Sequence, residues 1–299
     1  MKTQVPSVWT ALVTPFESNG KIDWKSFDKL LEEQLAAEIT GVVICGTTAE
    51  APALEVSEKI SLVERAKKLA KNKLKIMVGT GSNNTNDSVE LSKKARDAGA
   101  DSLLVVTPPY NKPSLAGLVK HFEAISEASK TPICLYHVPG RTAQHLSAEA
   151  MKKITEVDRV FSIKEASGDL SLYSRVLEAC PNKIILTGDD PTYLPSLSVG
   201  GQGVISVMTN AFPKAFVSLS RAYAAGDVQK AKKIHQLFFP MIEALFCETN
   251  PTPVKYVMEK MGLCSFFVRL PLAPLTKESV NHIDKTFETL TARLCEVSL

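Results

Sequence analysis

Short apolar runs alternate eight times with longer amphipathic stretches over the first three-quarters of the chain, and few folds accept that alternation. The runs are 10–16, 41–46, 75–81, 102–107, 133–138, 160–164, 183–187 and 203–207. They are too short for helices and rich in β-branched residues. Each is followed by apolar residues at helical spacing, over 23–38, 57–70, 86–98, 114–128, 147–154, 170–179, 192–198 and 213–225; Phe27, Leu30, Leu31 and Leu35 typify the first. Runs such as Ile184-Ile185-Leu186 lack polar alternation, as strands covered on both faces require. Right-handed crossovers close eight such units into a (β/α)8 barrel. A doubly wound open sheet is the rival, and usually employs fewer strands.

Length is used up unevenly. A barrel over 1–225 leaves 299 − 225 = 74 residues with no clear strand. Helical patterns at 228–246, 252–261 and 277–294, punctuated by Pro251, Pro253, Pro271 and Pro274, fill that remainder. The expected architecture is therefore an α/β protein, a (β/α)8 TIM barrel with a C-terminal three-helix extension at 226–299. Two ordinary domains would also satisfy the length. Lys+Arg minus Asp+Glu is 35 − 32 = +3, too small and dispersed an excess to point to nucleic acid or a membrane. No run approaches the ~18 apolar residues of a bilayer span, and residues 1–10 carry no signal-peptide core. The six cysteines form no C-x-x-C pair, and several sit inside apolar runs. Buried free thiols in a reducing, cytoplasmic setting are expected.

In barrels of this kind the chemistry lies where the strands end. Lys164 is the sharpest candidate. It shares a strand face with Ser162 and Ala166, while Phe161, Ile163 and Glu165 point the other way. An ammonium desolvated inside a barrel is biased toward the neutral amine. That amine attacks a ketone to give a Schiff base, an electron sink for carbon–carbon bond formation. A lone lysine at a strand end is more often solvated or ion-paired, so its neighbours matter. Thr47 and Thr48 follow Gly46 in a strand-to-helix turn, where hydroxyls hold a carboxylate, relay a proton or simply cap the next helix. Tyr136 and Tyr110 can transfer protons or merely pack. Arg141 can clamp a carboxylate or form a surface ion pair.

Other motifs fail. Gly79-Thr80-Gly81 begins a dinucleotide fingerprint, but Asn84 occupies the third glycine position. The five histidines lack metal-site spacing, His121 being expected on a helix and His137 in a strand-end loop, both structural. Asp189-Asp190 has no evident third ligand. No metal site is expected.

The ordered motifs resemble the dihydrodipicolinate synthase family, within the pyruvate-dependent class I aldolases that include N-acetylneuraminate lyase. The matching stretches are Gly46-Thr47-Thr48-Ala49-Glu50, Val106-Thr107-Pro108-Pro109-Tyr110-Asn111-Lys112-Pro113, Tyr136-His137-Val138-Pro139-Gly140-Arg141-Thr142, Ile163-Lys164-Glu165-Ala166-Ser167-Gly168-Asp169, Gly188-Asp189-Asp190, Gly203-Val204-Ile205-Ser206-Val207 and Asn250-Pro251-Thr252-Pro253-Val254-Lys255. The resemblance implies that Lys164 forms the Schiff base with pyruvate and Thr48 holds the pyruvate carboxylate. It makes Tyr136, Thr47 and Tyr110 a proton relay, with Tyr110 donated across a subunit interface of a homodimer or homotetramer. Arg141 would bind the carboxylate of L-aspartate 4-semialdehyde, and Gly188 and the carbonyl of Ile205 would line the site. No cofactor is implied. Another pyruvate aldolase acting on sugar acids, or a non-catalytic metabolite-binding barrel, is the alternative. Ala51, Val56, Lys59 and Pro109 depart from the polar residues or tyrosine that lysine-inhibited members usually carry. Weak or absent feedback by lysine is expected.

Overall fold

The computed structural model describes residues 5–297. Among them run eight strands: β1 (Ser7–Ala11), β2 (Gly41–Ile44), β3 (Lys75–Gly79), β4 (Ser102–Val106), β5 (Ile133–His137), β6 (Val160–Glu165), β7 (Ile184–Thr187) and β8 (Gly203–Ser206). They form a closed barrel in the order β1 to β8, with parallel pairing of β1 with β2 and along the run from β3 to β8. The helices are α1 (Trp24–Ala36), α2 (Val56–Ala70), α3 (Thr85–Asp97), α4 (Leu115–Ser129), α5 (Pro139–Thr142), α6 (Ala148–Thr155), α7 (Leu170–Ala179), α8 (Tyr193–Ser198) and α9 (Pro213–Ala224), then α10 (Val228–Ala244), α11 (Thr252–Lys260) and α12 (Lys277–Arg293). The eightfold alternation and the three-helix extension are thus both present. No helix among the described residues is long and apolar enough to cross a membrane.

The expected first strand at 10–16 is displaced. Pairing of Trp9, Thr10 and Ala11 with Gly41, Val42 and Val43 fixes the strand at Ser7–Ala11. Beyond it, Val13 N–H donates to Asn210 Oδ1 at 3.0 Å and Pro15 has no N–H to offer, so the ladder stops. Two compact units partition the chain: one joins the segment up to Leu54 with that from Ser206 onward, the other is Glu55–Ile205.

In the first unit, Phe27, Leu30 and Leu31 of α1 are fully buried, as their helical spacing requires. Gln34 on the same face is buried because both ends are used: Thr10 Oγ1 donates to its Oε1 at 2.5 Å and its Nε2 donates to Thr209 O at 3.1 Å. Asn210 Nδ2 donates to Ala11 O, which ties the segment before α9 to β1. Phe212 of this unit packs edge-on against Phe238 of α10.

In the second unit, helix starts are set by side chains the sequence supplies. Asn84, Ser114, Ser147 and Asp169 each accept a first-turn backbone N–H, and Glu55 and Glu58 form a capping box on α2. Gly81 has a steric role: a β-carbon there would stand 2.5 Å from Val106 N, so only glycine permits that approach to β4. The cysteine expectation needs correction. Cys45, Cys134, Cys180 and Cys264 are buried free thiols, whereas Cys247 and Cys295 are exposed, because the segments after α10 and α12 leave the core.

Candidate active site

Lys164 lies at the fifth position of β6, with a side chain folded into the protein: the residue is 6% exposed. Parallel pairing places Tyr136 of β5 opposite Lys164 and Cys134 opposite Ser162, so these four side chains occupy one face in two successive rows. The Lys164 amine stands 4.3 Å from the centre of the Tyr136 ring. Beneath it, burial pushes the Cys134 thiol up to about 11, which keeps it protonated near neutral pH. Gly188, just after β7, completes the cradle. A β-carbon at that position would fall 2.4 Å from Lys164 Cε and 2.8 Å from the Ala166 β-carbon. Asp189, next in the chain, lies beside Gly168, and its carboxyl is pushed up by burial, with the Glu165 charge adding to the shift against the opposing hydrogen bonds of Thr192. Ile205 on β8 is fully buried.

A second buried lysine shows what sets Lys164 apart. Lys255 of α11, in the first unit, is fully buried, and its amine donates to Glu50 Oε1 at 2.5 Å and to Phe267 O at 2.9 Å over the face of Phe16. Desolvation pushes its ammonium down from the usual range, with the Glu50 carboxylate opposing. Lys255 is saturated and structural. Among the described residues Lys164 has no carboxylate partner, and the Tyr136 ring is its neighbour.

Tyr110 and Arg141 sit on turns of the second unit. Asn111 N–H donates to Pro109 O at 2.9 Å across Tyr110, whose φ is +73°, so Tyr110 is the centre of a strained γ-turn. The turn thrusts the phenol outward, 88% exposed. Asn111 Nδ2 donates to Asn83 O at 2.8 Å and Gln144 Nε2 to Pro113 O at 2.6 Å, bracing the loop from both sides. Arg141 is in the one-turn helix α5, exposed and without an ion-pair partner among the described residues. His137 is not in a loop as expected. Its pairing with Glu165 makes it the last residue of β5, fully buried.

Thr47 and Thr48 belong to the first unit, in a single 3₁₀ turn (Thr47–Ala49) after β2. Cys45 and Glu50 bracket it, each with a φ of +57°. Thr48 is buried, and its Oγ1 accepts from Asn250 Nδ2 at 2.9 Å, so its own proton stays free to donate. Asn250 Oδ1 is buried with no protein partner. Glu50 anchors the turn from behind: its Oε2 accepts from Arg269 N at 2.8 Å, while the Arg269 guanidinium donates to Gly20 O and Ala53 O, each at 2.7 Å, over the Phe16 ring. Sequence reasoning recorded Asn250 only as part of a motif and Glu50 only as the end of one. Their partners are 202 and 205 residues away, so no local pattern could reveal these contacts.

A barrel with an unpaired lysine on its sixth strand, packed against a tyrosine on the fifth, is the arrangement of the class I aldolases. More narrowly, residues 4–290 match the dihydrodipicolinate synthetase family, and the chain belongs to it. The 4-hydroxy-tetrahydrodipicolinate synthase of Leptospira biflexa serovar Patoc is 41% identical over 276 residues, which span 92% of this chain and 94% of that protein. The structure of the corresponding enzyme from Methylacidiphilum fumariolicum SolV superposes with a TM-score of 0.95 at 39% identity, over 98% of each chain. A chloride-inhibited dihydrodipicolinate synthase from Acinetobacter baumannii, determined in complex with pyruvate, superposes at 0.93 with 36% identity, over 96% of this chain and 99% of that one.

Proposed function

We propose that this chain is a lyase that condenses pyruvate with L-aspartate 4-semialdehyde to 4-hydroxy-tetrahydrodipicolinate, the first committed step toward diaminopimelate and lysine. The Lys164 amine adds to the pyruvate ketone, and loss of water leaves a protonated Schiff base. A proton leaves the methyl carbon to give an enamine. That carbon attacks the aldehyde, and the resulting alkoxide takes up a proton. The amino group of the second substrate then adds to the imine carbon, closes the ring and releases Lys164 as the free amine.

By the rule that residues after the strand ends share one face of a barrel, Thr48 receives the pyruvate carboxylate through its free hydroxyl proton. Tyr136, Thr47 and Tyr110 pass protons, with Tyr110 reaching a neighbouring subunit of a homodimer or homotetramer. Gly188 and the Ile205 carbonyl line the space around the lysine. Arg141 grips the carboxylate of the aldehyde. The enzyme works in the cytoplasm without metal or organic cofactor, and neither nucleic acid nor membrane is a partner. The observation that carries this reading is the contrast between two buried lysines: Lys255 is saturated by Glu50 and Phe267, whereas Lys164 has no carboxylate partner among the described residues and lies over the Tyr136 ring beside the glycine that makes room for it.

Trapping with borohydride tests it. Incubation with pyruvate and borohydride should give a stable adduct on the Lys164 peptide, and none in Lys164→Arg. No adduct, or one elsewhere, refutes the mechanism. Aspartate semialdehyde should then support turnover and sugar acids should not. Arg141→Ala should raise KM for the aldehyde about 10- to 100-fold, the worth of ~1.5–3 kcal/mol in charged hydrogen bonds, with pyruvate trapping unchanged.

A further inference from the structure

The segment carrying Arg141 begins and ends on one side chain. It leaves β5 at His137 and runs through α5, and at Leu146 the backbone N–H donates to His137 Nε2 at 3.2 Å. A backbone N–H can only donate, so Nε2 bears no proton and the neutral ring carries its hydrogen on Nδ1. Nδ1–H donates to Glu165 Oε1 at 3.0 Å, and Ser167 N–H donates to the same oxygen at 2.9 Å. The two side chains are 0% and 2% exposed. Glu165 directly follows Lys164 and His137 directly follows Tyr136, and the two strands pair Tyr136 with Lys164 and His137 with Glu165. One unbroken series of bonds thus runs from Lys164 through Glu165 and the imidazole to Leu146, closing the loop around Arg141.

The turn that carries Arg141 is packed through the buried Pro139 and Thr142, while the Arg141 side chain is exposed. Its helix is one turn long, too short to be stable alone, and its guanidinium has no ion-pair partner among the described residues. Its own turn is held internally by Thr142 Oγ1 to Val138 O at 3.2 Å and Ala143 N to Pro139 O at 2.8 Å. Besides the closure at Leu146, Gln144 Nε2 ties the segment to Pro113 O, in the loop that carries Tyr110. A clamp displaced by about 1 Å can lose some two orders of magnitude in rate, so the closure matters to the chemistry.

We infer that His137 and Glu165 are a positioning pair that sets the Arg141 guanidinium relative to the Lys164 amine, and so governs use of the carboxylate-bearing aldehyde and not of pyruvate. This rests on the assignment of Arg141 as the carboxylate clamp. Two variants separate the halves of the device. Asparagine mimics the Nδ1 position: His137→Asn keeps a donor to Glu165 and loses the acceptor for Leu146. Glutamine mimics the Nε2 position: His137→Gln keeps that acceptor.

In His137→Asn, KM for aspartate semialdehyde should rise about fivefold, the worth of one neutral hydrogen bond of about 1 kcal/mol, while pyruvate trapping at Lys164 keeps its wild-type rate. His137→Gln, which keeps the acceptor for Leu146 but loses the Nδ1–H donor to Glu165, should recover only part of that loss, to about threefold above the wild-type aldehyde KM. Amide hydrogen exchange gives a readout independent of turnover: the Leu146 amide should exchange at least about tenfold faster in His137→Asn than in wild type or His137→Gln. Unchanged Leu146 exchange in His137→Asn overturns the inference whatever the activity. So does faster exchange with an unchanged aldehyde KM, or a parallel fall in pyruvate trapping. A wild-type protein that traps pyruvate but does not turn over the aldehyde refutes the proposed reaction instead, and leaves the exchange result to decide the loop closure.

Discussion

Gly188 and Lys164 exclude any side chain from the space between them. A β-carbon on residue 188 would lie 2.4 Å from Lys164 Cε and 2.9 Å from its Cγ, inside any real carbon–carbon contact. The backbone of residue 188 is itself held, since its N–H donates to Glu165 O at 2.7 Å. The Lys164 stem and the Ala166 β-carbon, which would be 2.8 Å away, would both have to give.

Gly188→Ala should therefore cut the rate of pyruvate trapping at Lys164 at least about tenfold, because overpacking of this kind costs ~1–3 kcal/mol and displaces the lysine stem from its cradle. Trapping at the wild-type rate would show that the cradle relaxes elsewhere. The fold should survive, so the melting temperature should fall by only a few degrees.

Asn250→Ala should weaken pyruvate binding through Thr48. The amide that donates to Thr48 Oγ1 at 2.9 Å fixes where that hydroxyl points, and losing one neutral hydrogen bond is worth about 1 kcal/mol, or roughly fivefold in pyruvate KM. Arg141 is untouched by this change, so KM for the aldehyde should stay put. Equal effects on both substrates would assign Asn250 a different role.

His121 should make the protein acid-sensitive. It is buried on α4, its Nε2 lacks a partner among the described residues, Thr85 Oγ1 lies 3.0 Å from Nδ1, and desolvation lowers its pKa from 6.5 to about 4. The unfolded chain binds a proton near pH 6.5 and the folded one resists until about 4. Stability is therefore full above about 6.5 and is lost as pH falls toward 4, by on the order of 2 kcal/mol at pH 5. His121→Leu should flatten the fall in melting temperature between pH 7 and pH 5; an unchanged slope would place the acid sensitivity elsewhere.

Feedback by lysine should be weak or absent. Ala51 and Pro109 put a methyl and a pyrrolidine ring where lysine-inhibited relatives carry hydroxyls, and neither can donate a hydrogen bond. Steady-state rates with submillimolar lysine should equal those without it, and inhibition in that range would refute the expectation.

Much of the fold was legible because it repeats. Helix α7 starts and ends where its pattern does, Leu170–Ala179, since Asp169 caps it and its apolar face is regular. Strand ends were less legible. β1 lay several residues earlier than its apolar run because Asn210, distant in sequence, takes the hydrogen bond that a ladder would have used. Lys164 stood out because alternation placed it beside Ser162 rather than Ile163. Its being unpaired did not, since a sequence shows neither the carboxylates that are near nor those that are not. His137 was read as a structural histidine in a loop. Its strand position and its closure of the Arg141 segment depend on Glu165 and Leu146, which pattern alone could not bring to its two ring nitrogens.

The sequence by itself determined the eightfold alternation, the helical tail and the order of the strand-end motifs, because periodicity and capping are local properties of a chain. Only the tertiary structure decided which buried lysine is free. Lys164 and Lys255 are alike as residues, yet pairing across 205 residues saturates one with Glu50, while a missing β-carbon at Gly188 leaves the other room beside Tyr136. Desolvation and partner geometry are properties of the assembled protein, and they separate a structural cation from a candidate nucleophile.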